Sequence, residues 1–168
     1  MLPFAGSPLD LQVRALFRHI SPQANMRFSN QPLADTLKQF LAGNVFAAAL
    51  PEPMASTLCL AGKAARLADL AELYAQVNGD ARSPQVSLFA EKGKMLPAGF
   101  LPEFTQSIRL VTAMPPQQQR AVATSLGITE QVLMHALPHV QFELPERASA
   151  QKLEDRFMDF IAPATRQK

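Results

Sequence analysis

The chain has 168 residues, enough for one domain with a substantial hydrophobic core. Hydrophobic residues make up 48% of it but charged residues only 18%, against about 25% in an average globular protein. A net charge of +2 from 16 basic and 14 acidic groups excludes a polycationic footprint for nucleic acid or an anionic membrane, and a single cysteine, Cys59, excludes a disulfide-stapled scaffold.

The charges are also evenly spread. Residues 1–50 carry four basic and two acidic groups, 51–100 five of each, 101–148 three and four, and 149–168 four and three. With so few charges, the surface must be covered either by Gln, Ser, Thr and Pro or by an interface depleted of charge. The chain reads as the second. The start, "MLPFAGSPLD", lacks a basic segment followed by an apolar run, so no signal peptide is expected. Between Gln39 and Gly62 the only charge is Glu52, but Asn44, Pro51, Glu52 and Pro53 interrupt the apolar residues before a membrane span is reached. The expectation is a cytoplasmic protein with no membrane insertion.

In chain order, Ser7-Pro8 predicts a capped helix start, followed by Leu9, Val13, Leu16, Phe17 and Ile20 at helical spacing. Ser21-Pro22 and Ser83-Pro84 carry the same start signal. A second helix follows from Asn30, with Leu33, Leu37, Phe40 and Leu41 on one face and Gly43 as its stop. "NVFAAAL" (44–50) is apolar nearly all round, and reads either as a short buried helix or as an exposed docking surface.

The longest periodic stretch runs over 54–78 and predicts one central helix. Leu58, Ala61, Ala65, Leu67, Leu70, Leu73, Tyr74 and Val77 form its apolar side, and Asn78-Gly79 its end. Lys63, Arg66, Asp69, Glu72 and Gln76 fall on its solvated side, with Arg66 and Asp69 spaced to pair. Val86, Leu88 and Ala90 alternate as in a strand, and Val140, Phe142 and Leu144 offer it a partner, so a minor β-ribbon is allowed. The Pro/Gly-rich stretch 95–102 is the one candidate sub-boundary in an otherwise single domain 1–168. A helix over 102–114 turns Phe104, Ile108 and Val111 inward, and a last helix from Ser149 carries Leu153, Phe157, Phe160 and Ile161 and ends before Pro163. The fold class is therefore all-α: a single compact domain of six to eight short helices.

The stretch "QQQRAVATSLGITEQVLMHAL" (117–137) has Ala123, Gly127, Ile128, Leu133 and Ala136 at the spacing of two helices crossing over a tight turn. Over about twenty residues it resembles the helix-turn-helix DNA-binding class. That resemblance implies a DNA-contacting set of Arg120, Thr129, Gln131, Met134 and His135. Val132 faces outward in this register. No Lys or Arg lies on the second helix to read guanine or grip phosphate, and 101–148 is net negative.

Other constellations fail on spacing. His135 and His139 are four apart, with Glu143 and Glu146 nearby, but Pro138 intervenes and no third ligand has metal-site spacing, so no metal is expected. Gly62-Lys63 lacks the other phosphate-loop residues, since Thr57 and Ala64 stand where Gly and Ser or Thr are needed. Cys59 sits in an apolar context that suits a buried hydrophobe rather than a nucleophile. Asp69 with Glu72, and Glu154 with Asp155 and Asp159, read as solvated helix faces. No catalytic motif or cofactor site is recognised. The leading expectation is a non-enzymatic adapter, accessory subunit or chaperone that binds a protein partner or a second copy. Its candidate contact residues are Phe40, Leu41, Val45, Phe46 and Leu50 in the charge-free run. The alternative is a DNA-binding regulator using 117–137.

Overall fold

The computed structural model describes residues 1–23, 27–86 and 91–165. Ser7 starts the first helix, α1 (Pro8–Ile20), as its sequence predicts. The Ser7 hydroxyl accepts the Asp10 N–H at 3.2 Å, and Pro8 supplies a preset first turn. Ser21-Pro22 leads only into a turn, and no helix follows Ser83-Pro84 among the described residues.

The remaining helices are α2 (Leu33–Leu41), α3 (Met54–Leu60), α4 (Leu70–Asn78), α5 (Phe100–Thr112), α6 (Pro116–Ser125), α7 (Glu130–Ala136) and α8 (Arg147–Thr165), with a 3-10 turn at Leu137–His139. Two two-residue strands, β1 (Leu2–Pro3) and β2 (Asn30–Gln31), meet in parallel register with Leu2 beside Asn30. The fold is all-α with this one minor bridge. The bridge is not the one expected from sequence: residues 140–145 form no strand, and 87–90 of the other segment lie outside the described residues. Alternation of three apolar side chains is too short a signal without a partner that supplies ladder hydrogen bonds.

The predicted central helix is two helices. After Leu60 the chain enters a left-handed turn at Gly62 (φ +64°), where the Gly62 N–H donates to Cys59 O and the Lys63 N–H to Leu58 O. This pair of backward hydrogen bonds closes a helix and requires a residue without Cβ strain. Residues 64–69 then run without helix until Asp69 caps α4, accepting the Ala71 N–H at 2.9 Å. Arg66 and Asp69 therefore do not pair on a helix face, and Leu67 is 73% exposed rather than packed.

The main core lies where α1 packs on α8 and α4. Ala15, Leu16, Tyr74, Phe157, Phe160 and Ile161 are buried together, with Leu11, Leu70, Leu73 and Val77 packed around them. The Tyr74 ring stands edge-on to Phe160 at 5.1 Å and 86°, and His19 stacks on the same Phe160 ring at 5.2 Å. The stripe predicted on the last helix is thus the core face of α8. Its backbone continues past position 163 to Thr165, since a proline in the last turn removes only one intrahelical bond. A second, smaller packing group joins α7 to α3 and α6 and buries Leu58, Ala123, Val132, Leu133 and Ala136.

Polar side chains tie the first group together. Asp10 is 4% exposed, accepts the Gly6 N–H at 2.8 Å and the Arg14 Nε–H at 2.7 Å, and Arg14 in turn donates to Asn30 at 2.6 Å. Burial opposes the charge on Asp10, but Gly6, Asn30 and Arg14 together outweigh it and hold the carboxyl below its ordinary range. Asp80, just past α4, accepts Arg82 and Arg156, the latter reaching across from α8 at 3.0 Å. Hydrogen bonds from the Arg82 side chain and backbone keep its carboxyl well below the usual range.

This packing can be probed at its aromatic centre and at its carboxylates. The Tyr74 side chain is fully buried, and its hydroxyl has no hydrogen-bond partner among the described residues. Tyr74→Phe should therefore hold or raise the unfolding free energy measured in urea, by up to about 1 kcal/mol, whereas Leu16→Ala should lower it by about 2–5 kcal/mol. A clear loss of stability in Tyr74→Phe would show that the hydroxyl is paired. Acid sensitivity supplies the second. Both carboxyls titrate lower in the folded state, so their stabilisation is complete above the unfolded value of about 3.9 and is lost as pH falls through the folded values. Thermal midpoints taken from neutral pH downward should fall less steeply in the Asp10→Asn, Asp80→Asn double variant than in the native chain.

Candidate functional site

The charge-free run after α2 is shaped by the way that helix ends. Gly43 N–H donates to Phe40 O, Asn44 N–H to Gln39 O, and the Asn44 side chain to the Gln39 side chain at 2.7 Å. These bonds close α2 and release the chain at Val45. Residues 47–50 adopt no helix, so "NVFAAAL" is a surface segment, held at Ala49 by a backbone bond to Met1 O at 3.0 Å.

The five candidate contact residues divide there. Phe46 is 95% exposed and Leu41 46% exposed, while Phe40, Val45 and Leu50 are half-buried. A second apolar surface lies elsewhere. The α5 helix makes no substantial packing contact with any other described element, and none of its described side chains is buried. Phe104, predicted to face inward, is 39% exposed; Ile108 and Val111 are half-buried, and Leu101 and Leu110 are 46% and 54% exposed. Helical spacing reports which side chains share a face, not whether the same chain supplies the cover. Where α5 ends, Val111, Met114, Met134, Leu137, Pro138 and Phe142 line an open groove of about 290 Å³.

The helix-turn-helix stretch does form the corner its spacing predicts. α6 closes at Gly127 (φ +67°) through Gly127 N–H to Thr124 O and Ile128 N–H to Ala123 O, the same closure as at Gly62. Thr129 caps α7 by accepting the Val132 N–H at 3.2 Å. Val132 is buried at 8% exposure, not outward as its register suggested, because α3 packs on that side of α7. Of the residues implied for DNA contact, Arg120, Gln131 and Met134 are exposed, as is the capping Thr129. Arg120 lies 3.4 Å from Glu130, and His135 turns away from solvent to place its Nδ1 3.0 Å from the Ser56 hydroxyl.

That serine belongs to a polar group marked by no local motif. Ser56 is fully buried on α3; its N–H donates to Glu52, and Arg66 from the 64–69 segment donates to both Glu52 and the Ser56 hydroxyl. Close by, His139 Nδ1 lies 3.1 Å from Asp69, the cap of α4, and the two histidine rings are 6.0 Å apart. Serine, histidine and aspartate are present, but the pairs are Ser56–His135 and Asp69–His139, not one relay. A nucleophile must also reach a substrate, and a fully buried hydroxyl does not. The group fastens α3, the 64–69 segment and α7 instead. Its visible signals were Glu52 in an otherwise uncharged run and a capping Asp69 ahead of "LAELYAQVN".

Among the described residues, no group of three or more His, Cys, Asp or Glu side chains is placed to hold a metal ion, and no helix is long and apolar enough to cross a membrane. Compared with protein-family models, with curated proteins and with solved structures, the chain matches none of them.

Because the Ser56 hydroxyl serves both His135 and Arg66, Ser56→Ala should cost about 1–3 kcal/mol, chiefly through the polar groups it leaves unpaired. Urea unfolding measures that loss. The His135 ring nitrogen shifts in NMR should move in the same variant, and unchanged shifts would refute the hydrogen bond.

Proposed function

We propose that the chain is a non-enzymatic adapter, accessory subunit or chaperone of the cytoplasm. It docks another protein through the charge-poor apolar surface around Leu41 and Phe46. The observation that supports this reading is the amount of surface left uncovered. A compact monomer of 18.4 kDa exposes about 8,200 Å², whereas this chain exposes 11,836 Å². Counting every residue outside the described ranges at full extended-chain area removes about 1,600 Å² of the difference and still leaves an excess of roughly 2,000 Å². A standard protein interface takes about 800 Å² from each partner. The exposed side chains include Phe46, Leu67, Val86 and Met95, all large and apolar, and a low charge content favours interface cores over solvated faces.

Phe46 is the residue expected to contribute most. A rigid aromatic side chain that loses nearly all its exposure on docking is the usual anchor of a protein interface. A second reading is a DNA-binding regulator using 117–137, supported by the two short helices α6 and α7 joined at Gly127. Duplex binding that weakens steeply with salt and with Arg120→Ala would establish that function instead.

The adapter reading is tested with a photo-crosslinking side chain at position 46 in the native host, against the same group at exposed Glu72. One stoichiometric protein captured from position 46 and not from 72 is the expected result. With that partner in hand, Phe46→Ala should weaken binding at least tenfold while changing stability by less than about 0.5 kcal/mol. Equal capture from both positions, or unchanged affinity, refutes the surface.

A further inference from the structure

The segment that carries Phe46 continues the small β bridge at the start of the chain. In an extended chain, successive residues turn their backbone groups to opposite sides. Leu2 turns towards β2, donating its N–H to Ser29 O at 2.9 Å and pairing with Asn30. Met1 faces the other way. Its nitrogen donates to Ala47 O at 2.6 Å, and its carbonyl accepts the Ala49 N–H at 3.0 Å. One residue bonded to both neighbours of Ala48 is the pattern of parallel strands, with Met1 beside Ala48. Residues 47–49 are therefore the outer edge of a three-line ribbon.

The same geometry fixes what that edge presents. With Ala47 and Ala49 turned to Met1, the N–H and C=O of Ala48 point away from it. Neither group has a hydrogen-bond partner among the described residues, and nor does the Leu50 N–H. Sheet edges are ordinarily guarded by charged side chains, proline or bulges. Between Asn44 and Leu50 there is no charge, the three alanines carry only methyl groups, and Pro51 comes after the edge.

We propose that this edge takes an extended, uncharged strand of the partner protein, added beside Ala48 through main-chain hydrogen bonds. The proposal rests on the reading of the Phe46 segment as the docking surface and specifies what lies on it. An apolar helix laid there satisfies none of the Ala48 groups, because its own backbone is bonded internally. A second main chain satisfies them, and methyl side chains let it approach to the roughly 4.8 Å spacing of paired strands. A charge on the incoming strand would meet no opposite charge between Asn44 and Leu50. Phe46, 95% exposed, supplies apolar cover at one end.

The probe is a library of linear twelve-residue peptides displayed on phage, selected on the purified full chain, with selected sequences resynthesised. Amide exchange followed by NMR tests the edge itself. In the free chain Ala48 should exchange faster than Ala49, and bound peptide should slow Ala48 by about tenfold or more. Methyl groups on the peptide's backbone nitrogens should weaken binding about tenfold at alternate positions and less than about twofold between them, since every second N–H faces the edge. That scan leaves the chain unaltered. Ala48→Pro removes one donor while keeping both bonds to Met1, and should weaken the same peptides about tenfold at unchanged helicity.

No selected peptide, a preference for charged peptides, methylation effects without alternation, or an Ala48 amide as slow as Ala49 in the free chain overturns the proposal. A dimer of the chain itself that Ala48→Pro dissociates identifies a second copy as the occupant and overturns it as well. A partner captured at position 46 that binds Ala48→Pro unchanged leaves the adapter reading standing and removes strand addition. Alternating peptide binding with nothing captured at position 46 removes the adapter reading alone.

Discussion

The edge-on contact between Tyr74 and Phe160 is the point from which the rest of the chain is hung. It brings α4 and α8 against α1, and the only aromatic cluster of the described core forms there, with Phe157 on one side and His19 capping Phe160 on the other. Among the described residues, Leu16 is the other large apolar side chain fully buried. Beyond this nucleus, the fold depends on polar fastenings such as Asp10 with Arg14 and Asn30, Asp80 with Arg82 and Arg156, and Glu52 with Arg66 and Ser56. A fully buried tyrosine whose hydroxyl has no partner among the described residues shows how much the site is specified by shape. Aromatic area outweighs the loss of one hydrogen bond.

That economy of apolar burial explains the outside. The chain has an ordinary share of hydrophobic residues, yet it invests only part of them in its own core. The remainder stand on two separate surfaces, the Phe46 segment and the face of α5. A backbone with short helices and many turns cannot cover both. Interfaces need the same ingredients as cores, and here those ingredients face solvent, at Phe46 just beyond the α2 helix closed by hydrogen bonds at Gly43 and on the exposed side of α5.

Much of this was legible in residues. Ser7-Pro8 marked α1, Gly43 the end of α2, Gly127 the corner between α6 and α7, and the Phe157, Phe160, Ile161 stripe the core face of α8. Residues 54–78 read as one helix because Ala61, Ala64, Ala65 and Ala68 are at home in a helix and let the periodicity run on. The break was written in Gly62 and Asp69, a stop and a start nine residues of pattern tended to hide. The exposed side of α5 was illegible for a different reason. A periodic apolar face looks the same whether the covering surface belongs to the same chain or to another, so Phe104 and Ile108 read as core. Phe46 was legible only through the missing charges around it. The Ser56 and His135 contact joins residues 79 apart and leaves no local trace.

The contact between His139 and Asp69 has a consequence for how the molecule comes apart. It joins the packing of α3, α6 and α7, through the turn at Leu137–His139, to the cap of α4 in the aromatic nucleus. Apolar packing spreads cooperativity, since losing one contact exposes its neighbours, whereas a solitary polar tie transmits little. Separate foldons are the expected consequence: the α6–α7 corner should open and reclose while the Tyr74 nucleus stays native, and backbone amides on the two sides should exchange with solvent on different timescales.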